Sequence, residues 1–421
     1  MRVFKFGGAS VKNANAVRNV LHILRLYPQD QIIVVVSAMD KTTNRLEEVV
    51  QSILARQEEA FTQQCKDIFA FHERIVTALF ADTQAPIYKF LEEAFQTLRK
   101  KFDAPISEHF GFEYDQVVSL GEVLSSQILA AFLCQEGLMA SWWDARKLVR
   151  TDAHFKEANI DWDATVKLIR DGVNEFPMAE CYVTQGFIGH TEEGHTTTLG
   201  REGSDYSAAI FAYATDASDV TIWKDVPGML NADPKYFQNT QLLSSISYRE
   251  AIELAYFGAS VIHPKTVKPL QNKGIPLHIK SFISPQEEGT TIQEAHQFDH
   301  LIPSFIVKKN QLFITISAND FSFINEDALA KIFERFYHHA IKINLMQNSA
   351  LNFTTLVDAE KVDIQYLIEM LKPEFNCKYN ENVELLTIRH YNKTIIDELL
   401  VGKTVLLEQR SRQTARFVYR S

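Results

Sequence analysis

Cysteine is scarce in this 421-residue sequence, and no two cysteines lie close together. The four are Cys65, Cys134, Cys181 and Cys377. Zinc sites and redox motifs require cysteines a few residues apart, so this spacing excludes both. The thirteen histidines also form no cluster with metal-ligand spacing. We therefore predict that protein side chains bind no metal and that the cysteines are free thiols in a reducing compartment.

Long apolar runs and an excess of positive charge are also missing. No run approaches the roughly 20 apolar residues that span a bilayer. The sequence also lacks the pattern of a signal peptide, in which a charged segment precedes an apolar run and a cleavage site with small residues. The net charge of −10 and the pI near 5.8 give no general attraction to nucleic acid or to anionic lipid. We expect a cytoplasmic protein whose partners are small molecules, with no role for nucleic acid or membrane.

Two familiar nucleotide-binding patterns are absent as well, namely the phosphate loop and the three-glycine loop of protein kinases. Instead the chain opens with a short apolar strand that contains Lys5 and ends in the pair Gly7 and Gly8. Paired glycines let backbone N–H groups approach an anion, and a neighbouring lysine adds a positive charge. An ordinary strand and turn with a solvent-exposed lysine fits this segment equally well.

The composition is that of an ordinary globular protein, with 46% apolar and 23% charged residues, and the length favours two domains. A predicted strand at 2–6, an amphipathic helix at 15–26 and a strand at 32–36 indicate a parallel α/β sheet, whose ligands lie at the carboxyl ends of the strands. Residues 45–115 have helical periodicity and are predicted to form a helical subdomain. The α/β alternation then resumes. The predicted elements are helices at 121–133, 206–214 and 248–256, and strands at 181–187, 220–223 and 276–280.

The C-terminal part has a different order of predicted strands and helices. We predict a first domain over residues 1–290, a linker over 291–304 and a second region over 305–421. The second region reads as strand 311–317, helix 326–340, strands 342–346 and 352–357, helix 362–371 and strand 383–388. This βαββαβ order is typical of a ferredoxin-like module. Residues 395–420 supply one short helix and a hairpin, which is less than a second full module.

Four polar segments follow predicted strands: 37–44, 119–124, 185–207 and 223–235. In the second of these, Glu122 lies three residues after Ser119, which is the spacing of a helix capping box. The spacing favours that interpretation. The alternative is a carboxylate that receives a substrate ammonium group.

The third segment concentrates hydroxyls, glycines, Arg201 and Asp205 directly before a predicted helix. An arginine can hold a carboxylate through two parallel hydrogen bonds, and a helix N-terminus favours an anion. Gly200 and Gly203 flank Arg201 and indicate a shaped loop, so we favour a functional role. The helix dipole also favours an acidic residue in the first turn of a helix, and this preference alone would explain Asp205. The fourth segment carries two lysines and two aspartates, which suits either a nucleotide-gripping loop or a plain solvated connection.

Together these segments closely resemble the aspartate kinase family. The motifs that carry the resemblance are KFGGAS, VVSAMDKTTN, SLGE, VTQGFIGHTEEGHTTTLGREGSDYSAA, IWKDVPGMLNADPK and FGASVIHPKT, in the family's order over residues 1–295. The resemblance implies an amino-acid kinase fold followed by an ACT regulatory region whose second unit is incomplete. It also implies transfer of the ATP γ-phosphoryl group to the β-carboxylate of L-aspartate, with magnesium carried by ATP. A homodimer or higher homo-oligomer is expected.

The family's motifs also imply roles for individual residues of this chain. The implied catalytic residues are Lys5 and Asp205. The implied substrate-binding residues are Ser37, Thr43, Glu122, Phe187, Arg201 and Ser204. The implied nucleotide-binding residues are Lys5, Gly7, Gly8, Ser10, Lys224, Asp225, Leu230, Lys235 and Ser260. A lysine or threonine effector would bind near Asn319, Ser322, Phe323, Ile324, Gln347 and Asn348.

The chain departs from the family pattern mainly in the nucleotide half. Lys224 replaces a common threonine, and Leu230 and Lys235 replace a tyrosine and an arginine. Ser260 replaces a lysine, which removes a positive charge from the phosphate site. Our hypothesis is that Lys224 restores this charge. Glu202 replaces a frequent glycine in the substrate loop.

Two alternative functions remain at this point. One is a kinase for another small carboxylate, such as glutamate or N-acetylglutamate, on the same fold. Glu122 and Arg201 disfavour N-acetylated substrates, because Glu122 would require a free ammonium group. The other is an amino-acid-sensing regulatory protein that has lost catalysis. Ser260 motivates this alternative, and the presence of Lys5, Arg201 and Asp205 argues against it.

Overall fold

The computed structural model describes residues 1–259, 261–294, 302–320 and 322–420. They form two compact units. The first unit comprises Met1–Met229, Leu242–Ile252 and Ser260–Asp299, and the second comprises Leu230–Gln241, Glu253–Ala259 and His300–Ser421. Two short segments within the range expected for the first domain therefore cluster with the second unit.

The first unit contains a twisted sheet with the strand order β3-β4-β2-β1-β7-β9-β10-β8 and a small antiparallel pair, β5 and β6, among the described residues. The strands of this unit are β1 (Arg2–Phe6), β2 (Ile32–Val36), β3 (Ala140–Trp143), β4 (Cys181–Gln185), β5 (Ile188–His190), β6 (Thr196–Thr198), β7 (Val220–Lys224), β8 (Ser245–Ser247), β9 (Leu277–Ser281) and β10 (Thr290–Gln293). The pairings from β3 through β9 are parallel, and β10 runs antiparallel to β9. This agrees with the predicted parallel α/β sheet.

Helices cover both faces of this sheet. The helices up to β10 are α1 (Ala14–Arg25), α2 (Thr42–Leu54), α3 (Glu58–Leu79), α4 (Pro86–Asp103), α5 (Phe110–Val118), α6 (Leu120–Gln135), α7 (Ala145–Leu148), α8 (Trp162–Glu175), α9 (Gly203–Thr215), α10 (Tyr248–Phe257) and α11 (Pro264–Lys273). The segment 110–135 is apolar and long enough to cross a membrane by composition, but 78% of its most apolar window is buried inside the protein. Such burial is typical of a core helix.

The alternation of side chains along β1 determines which groups face which helix layer. Phe4 and Phe6 are fully buried in the core formed with α1 and α6. Successive strand residues point to opposite faces, so Lys5 points to the other face, where α9 packs against β1. An apolar strand thus carries one lysine towards the start of α9.

The predicted linker at 291–304 differs from the structure at both ends. Thr290–Gln293 forms β10, which pairs with β9 and β8 and extends the sheet of the first unit. Strand β11 begins at Ser304. The alternation in Thr290–Gln293 is too short to separate a strand from a connection, and pairing with two neighbours decides its structure. Residues 295–301 lie outside the described part.

The second unit is built on one antiparallel sheet of order β12-β13-β11-β14-β16-β15 within the described residues. Its strands and helices after β10 are β11 (Ser304–Ala318), α12 (Glu326–His338), β12 (Ile343–Asn348), β13 (Phe353–Asp358), α13 (Ile364–Leu371), β14 (Phe375–Arg389), α14 (Lys393–Leu399), β15 (Thr404–Arg410) and β16 (Thr414–Arg420). The first six of these follow the predicted βαββαβ order. Apolar residues of α12 and α13, such as Ile332 and Leu367, pack on Ile314 and Ile316 of β11.

The second half of this sheet contains more strand segments than we predicted from the sequence. The first part of β11 pairs with the last part of β14, so each long strand runs through both halves of the sheet. With β15 and β16 these segments supply four strands, and Ile396 of α14 packs against Phe417 of β16. Sequence periodicity placed the hairpin but missed that β11 and β14 extend beyond the first module.

Candidate active site

A cleft of about 840 Å³ opens in the first unit at the carboxyl ends of β1, β2 and β7. This is the position where parallel α/β sheets bind ligands. The cleft is lined by Lys5, Ser37, Thr43, Tyr114, Glu122, His154, Phe155, Lys156, Glu157, Phe187, Gly200, Arg201, Glu202, Gly203, Ser204, Asp205 and Lys224. Both predicted catalytic residues and all six predicted substrate-binding residues therefore lie in one cavity, although they come from four separate parts of the chain, namely Lys5 and the segments 37–44, 119–124 and 185–207.

A buried ion pair lies at the base of the cleft. The ammonium Nζ of Lys5 lies 2.6 Å from Oδ1 of Asp205, and the two residues are 8% and 3% exposed. Burial alone would raise the pKa of the Asp205 carboxyl, but the positive charges of Lys5 and Lys224 outweigh it and hold that pKa below its usual range. Asp205 is therefore ionised at neutral pH and fixes the position of the lysine.

Lys224 is the second cation at this carboxylate. Its Nζ lies 3.6 Å from Oδ2 of Asp205 and also donates to the backbone carbonyl of Val261. Lys224 thus reaches the segment that contains position 260, where the family has a lysine. Ser260 itself lies outside the described residues, so our hypothesis of charge replacement remains a prediction.

Glu122 is buried in the cleft wall. Its Oε1 accepts a hydrogen bond of 3.2 Å from the backbone N–H of Ala38, while Oε2 is buried with no hydrogen-bond partner among the described residues. Burial raises the pKa of the Glu122 carboxyl to about 8, although the Ala38 N–H and the charge of Lys5 act in the opposite direction. The side chain has one free oxygen that suits a cationic group.

The capping-box interpretation of Ser119 and Glu122 is wrong. Ser119 has helical backbone angles and makes no side-chain capping bond. Helix α5 ends where α6 begins, so the backbone never opens into the extended conformation that a capping residue needs. Glu122 is therefore available to the cleft.

The loop before α9 contains Arg201, which we predicted to bind a carboxylate. Arg201 is exposed at the cleft, and its guanidinium takes part in no ion pair within the described part of the chain. Ser204 is 9% exposed and follows in the first turn of α9. A free arginine beside a helix N-terminus can accept a carboxylate in two-point geometry.

Three non-glycine residues of the cleft have left-handed backbone angles. They are Lys156, Phe187 and Glu202, with φ values of 73°, 71° and 55°. Residues in this region usually cost free energy, and they cluster at binding and catalytic sites where the surroundings hold them. The cleft is thus a shaped site rather than an incidental gap.

The glycine turn after β1 is closely packed. A Cβ atom at Gly8 would lie 2.6 Å from the carbonyl oxygen of Ala38 and 2.8 Å from that of Asp40. Only glycine fits there. The turn continues into a short 3-10 helix, Gly8–Val11, in which the N–H of Ser10 donates to the carbonyl of Gly7 at 2.9 Å.

A loop that sequence reasoning missed forms part of the cleft. It contributes His154, Phe155, Lys156 and Glu157. The loop is anchored by buried Asp115, whose carboxylate accepts hydrogen bonds from the backbone N–H of Lys156 and from Thr198 of β6. The bonds measure 3.0 Å from Lys156, 2.9 Å from Thr198 N–H and 2.7 Å from the Thr198 hydroxyl. Tyr114, also missed, lines the cleft from α5. These residues match no short motif. The only signal in the sequence is a mixture of polar and aromatic residues without periodicity, which indicates a loop but no function.

Some predicted nucleotide residues do not line this cavity. Gly7, Gly8 and Ser10 lie in the turn beside it, and Asp225 is exposed just after β7. Leu230 and Lys235 belong to the second unit, so the segment 223–235 is not a single loop of the first unit as expected. In the second unit the backbone N–H of Phe305 donates to the carbonyl of Asn231 at 2.7 Å, which joins this segment to β11.

The predicted effector residues lie around the turn between β11 and α12 and on β12. Ile324 is buried, and its carbonyl accepts a bond of 3.4 Å from the side chain of Asn348. Phe323 is 69% exposed, and Gln347 is also exposed. Ser322 bonds to Asp320, while the amide of Asn319 donates to the carbonyl of Lys372 at 3.1 Å.

Comparison with known proteins identifies the family. A model of the amino acid kinase family matches residues 1–281. Lysine-sensitive aspartokinase 3 of Escherichia coli is 30% identical over 85% of this chain and 78% of the relative. This chain belongs to the aspartokinase branch of the amino acid kinase family. Aspartokinase 1 of Arabidopsis thaliana, a chloroplast protein, is 31% identical over 87% of this chain, which spans 65% of that relative's length.

Solved aspartokinase structures have the same fold. E. coli aspartokinase III in complex with lysine and aspartate superposes with a TM-score of 0.84 at 26% identity, covering 99% of this chain and 95% of that one. The complex of the same enzyme with aspartate and ADP gives a TM-score of 0.82 at 25% identity, covering 100% and 96%. The predicted fold class, an amino-acid kinase core followed by an ACT region, is thus confirmed.

Proposed function

We propose that this protein is an aspartate kinase that transfers the γ-phosphoryl group of ATP to the β-carboxylate of L-aspartate, giving 4-phospho-L-aspartate. This step would begin the pathway to lysine, threonine and methionine. The observation that carries the proposal is the convergence of Lys5 and Lys224 on Asp205 in a cleft that is also lined by Arg201 and Glu122. Within the described residues Arg201 has no ion-pair partner and Oε2 of Glu122 has no hydrogen-bond partner. The aspartokinase relatives support the same activity.

The reaction requires little acid–base chemistry. A free aspartate carboxylate has a pKa of about 3.9, so the nucleophile is already ionised at neutral pH. The barrier arises because two anions must meet in line. Positioning and electrostatic stabilisation therefore supply most of the rate enhancement.

The lysine pair fits the phosphate end of the substrates. Lys5, held by Asp205, would contact the transferring phosphoryl group, and Lys224 would neutralise charge on the neighbouring phosphates. The turn at Gly8 leaves no room for a side chain and lets backbone N–H groups approach an anion. Magnesium, bound through ATP, would neutralise further phosphate charge. Among the described residues no three His, Cys, Asp or Glu side chains form a metal-binding group.

Arg201 and Glu122 in the same cleft fit an α-amino acid. Arg201 would hold the α-carboxylate in two-point geometry, and the free Oε2 of Glu122 would accept the α-ammonium group. Ser37, Thr43, Ser204 and Phe187 would shape the space between them. The β-carboxylate is then directed towards Lys5.

An assay of ADP release with MgATP tests the proposal, with hydroxylamine present to trap any acyl phosphate. We expect hydroxamate from L-aspartate and none from L-glutamate or N-acetyl-L-glutamate. Lys5→Ala should abolish turnover, because the transferring group loses its positioned cation. The matched control is Lys12→Ala, which removes an exposed lysine outside the cleft. This variant should retain full activity. Turnover of glutamate instead would assign a different substrate, and aspartate binding without any turnover would indicate a sensor.

We further propose that an amino acid regulates the enzyme through the second unit. E. coli aspartokinase III was solved with lysine and aspartate, which supports lysine as the first effector to test and threonine as the second. Exposed Phe323 and Gln347 near the β11–α12 turn are available to a ligand. Saturating lysine or threonine should change activity and raise the melting temperature. If neither amino acid, alone or with the other, changes either quantity, this assignment is wrong.

A further inference from the structure

Glu202 has two unfavourable features at one position of the cleft. It precedes α9 with φ of 55°, in the left-handed region, where a residue with a Cβ costs roughly 1–2 kcal/mol relative to the ordinary helical region. Glycine would avoid this cost. A glutamate at this position therefore calls for an explanation in terms of its side chain.

The carboxylate of Glu202 is the second feature. Its Oε2 atom is buried and has no hydrogen-bond partner within the described residues, although the residue lines the cleft. Leaving a buried acceptor unsatisfied is costly, and the cost is larger for a charged group. Strain and an unpaired carboxylate together indicate a residue arranged for a bound partner.

The partner must be a hydrogen-bond donor, and a positively charged donor binds a carboxylate most strongly. Lys5 and Lys224 are already paired with Asp205. Oε2 of Glu122 is a second unpaired acceptor in the same cleft. Of the remaining cations in the lining, Lys156 lies over the rings of Phe110 and Tyr114, at 4.8 Å from each, and Arg201 would hold the substrate's α-carboxylate. Under the proposed function, the substrate brings a further cation, namely its α-ammonium group.

The neighbouring positions of Arg201 and Glu202 in the sequence favour the α-ammonium group as the partner of Glu202. Arg201, the residue next to Glu202, would hold the α-carboxylate. Both residues line the cleft, and the α-carboxylate and the α-ammonium are attached to one carbon atom, so a substrate bound at Arg201 would present its ammonium group to the part of the cleft that contains Glu202. An ammonium has three N–H donors, and the one free oxygen of Glu122 cannot satisfy them all.

We propose that Glu202 is a specificity-determining residue that accepts the substrate's α-ammonium group together with Glu122. This inference rests on the proposed function and adds a second carboxylate to its substrate site. It predicts that discrimination in favour of ligands with a free amino group depends on Glu202. Binding of the rest of the substrate does not depend on it.

Succinate is the suitable probe, because it has both carboxylates of aspartate and lacks the ammonium group. For Glu202→Gly and Glu202→Gln, the KM for L-aspartate should rise about tenfold, the size expected for a lost charged hydrogen bond. The inhibition constant of succinate should stay unchanged or fall. Glu202→Gly also removes the backbone strain, so this variant should fold at least as well as the wild type.

Glu192→Gln is the matched control. Glu192 is an exposed carboxylate in the turn between β5 and β6, outside the cleft lining, and its loss gives the same change in net charge. We expect this variant to keep both constants.

Two results would overturn the inference. Equal weakening of aspartate and succinate would assign Glu202 to the shape of the loop. A change confined to the KM for ATP or to the magnesium dependence would place it at the phosphates. Titration calorimetry with both ligands measures the same discrimination without turnover. Failure of the kinase assignment and failure of the Glu202 assignment can thus be distinguished.

Discussion

Replacing Glu122 with glutamine should make the ligand-free first unit less sensitive to pH. The folded carboxyl has a pKa raised from 4.5 to about 8 by burial. In the unfolded chain it returns to the ordinary value. Glutamine keeps the acceptor for the Ala38 N–H but does not ionise.

The expected magnitude follows from the two pKa values of Glu122. Between them, the unfolded side chain is ionised while the folded one stays protonated, so the unfolded state binds fewer protons. The raised pKa therefore stabilises the fold fully below about pH 4.5, and this contribution is lost as the pH rises to about 8. The loss is about 1.4 kcal/mol per pH unit, or about 2.7 kcal/mol from about pH 5.5 to about pH 7.5.

Urea denaturation followed by tryptophan fluorescence measures this effect in the relevant unit. The four tryptophans, at positions 142, 143, 162 and 223, all lie in the first unit. From about pH 5.5 to about pH 7.5 the wild type should lose about 2.7 kcal/mol more free energy of unfolding than Glu122→Gln. Equal pH dependence of the two proteins would refute the claim that Glu122 is buried and protonated in the empty cleft.

Substrate binding should reverse the pKa shift of Glu122. An ammonium group beside the free Oε2 favours the ionised carboxylate, so aspartate binding near pH 7 should release a proton. Calorimetry in buffers of different ionisation enthalpy measures the number of protons released. The wild type should release up to one, and Glu122→Gln should bind aspartate more weakly and release none. Proton release that persists in the variant would assign it to another group.

Three further outcomes are expected. Lys224→Ala should raise the KM for ATP about tenfold, because one cation near the phosphates is lost, while removal of Lys167, an exposed lysine of α8, serves as the comparison. An unchanged KM and kcat would disprove charge replacement. Gly8→Ala should abolish turnover, since its methyl group would lie 2.6 Å from the carbonyl oxygen of Ala38; a variant with normal kcat would show that the turn can relax. Asp115→Ala should lower the free energy of unfolding by about 2–4 kcal/mol, because the donors that it serves become unsatisfied; urea denaturation checks this, and a change below about 0.5 kcal/mol would contradict the anchoring role.

Much of the first unit was predictable because its elements carry strong local signals. The strands at 2–6 and 32–36 are short apolar runs bounded by turn residues, and the structure has them with the same limits. Pairing that depends on distant segments was not predictable. Strand β10 reads as part of a linker and becomes a strand only because β8 and β9 lie on either side of it. Local propensity is a weak guide where tertiary contacts decide.

In the candidate site, too, residues in local motifs were predictable, whereas contacts between distant segments were not. The motifs pointed to Lys5, Glu122, Arg201 and Asp205, and the cavity contains all four. The motif spacing nevertheless favoured a capping box for Glu122, because spacing along the chain cannot reveal that its carboxylate contacts Ala38. The loop at 154–157 was missed since its position depends on buried Asp115, some forty residues earlier in the chain.

The charges of the cleft divide into two groups with different consequences for substrate choice. Asp205 already partly neutralises Lys5 and Lys224, so this cluster of charges is stable without a ligand. Elsewhere in the cleft lining, Arg201 has no ion-pair partner within the described residues, while Glu122 and Glu202 each have a buried oxygen without a partner there. A ligand that fails to pair these groups leaves their desolvation cost in place, which is how polar sites reject close analogues by large factors. Selectivity should therefore be greater for the amino-acid substrate than for the nucleotide.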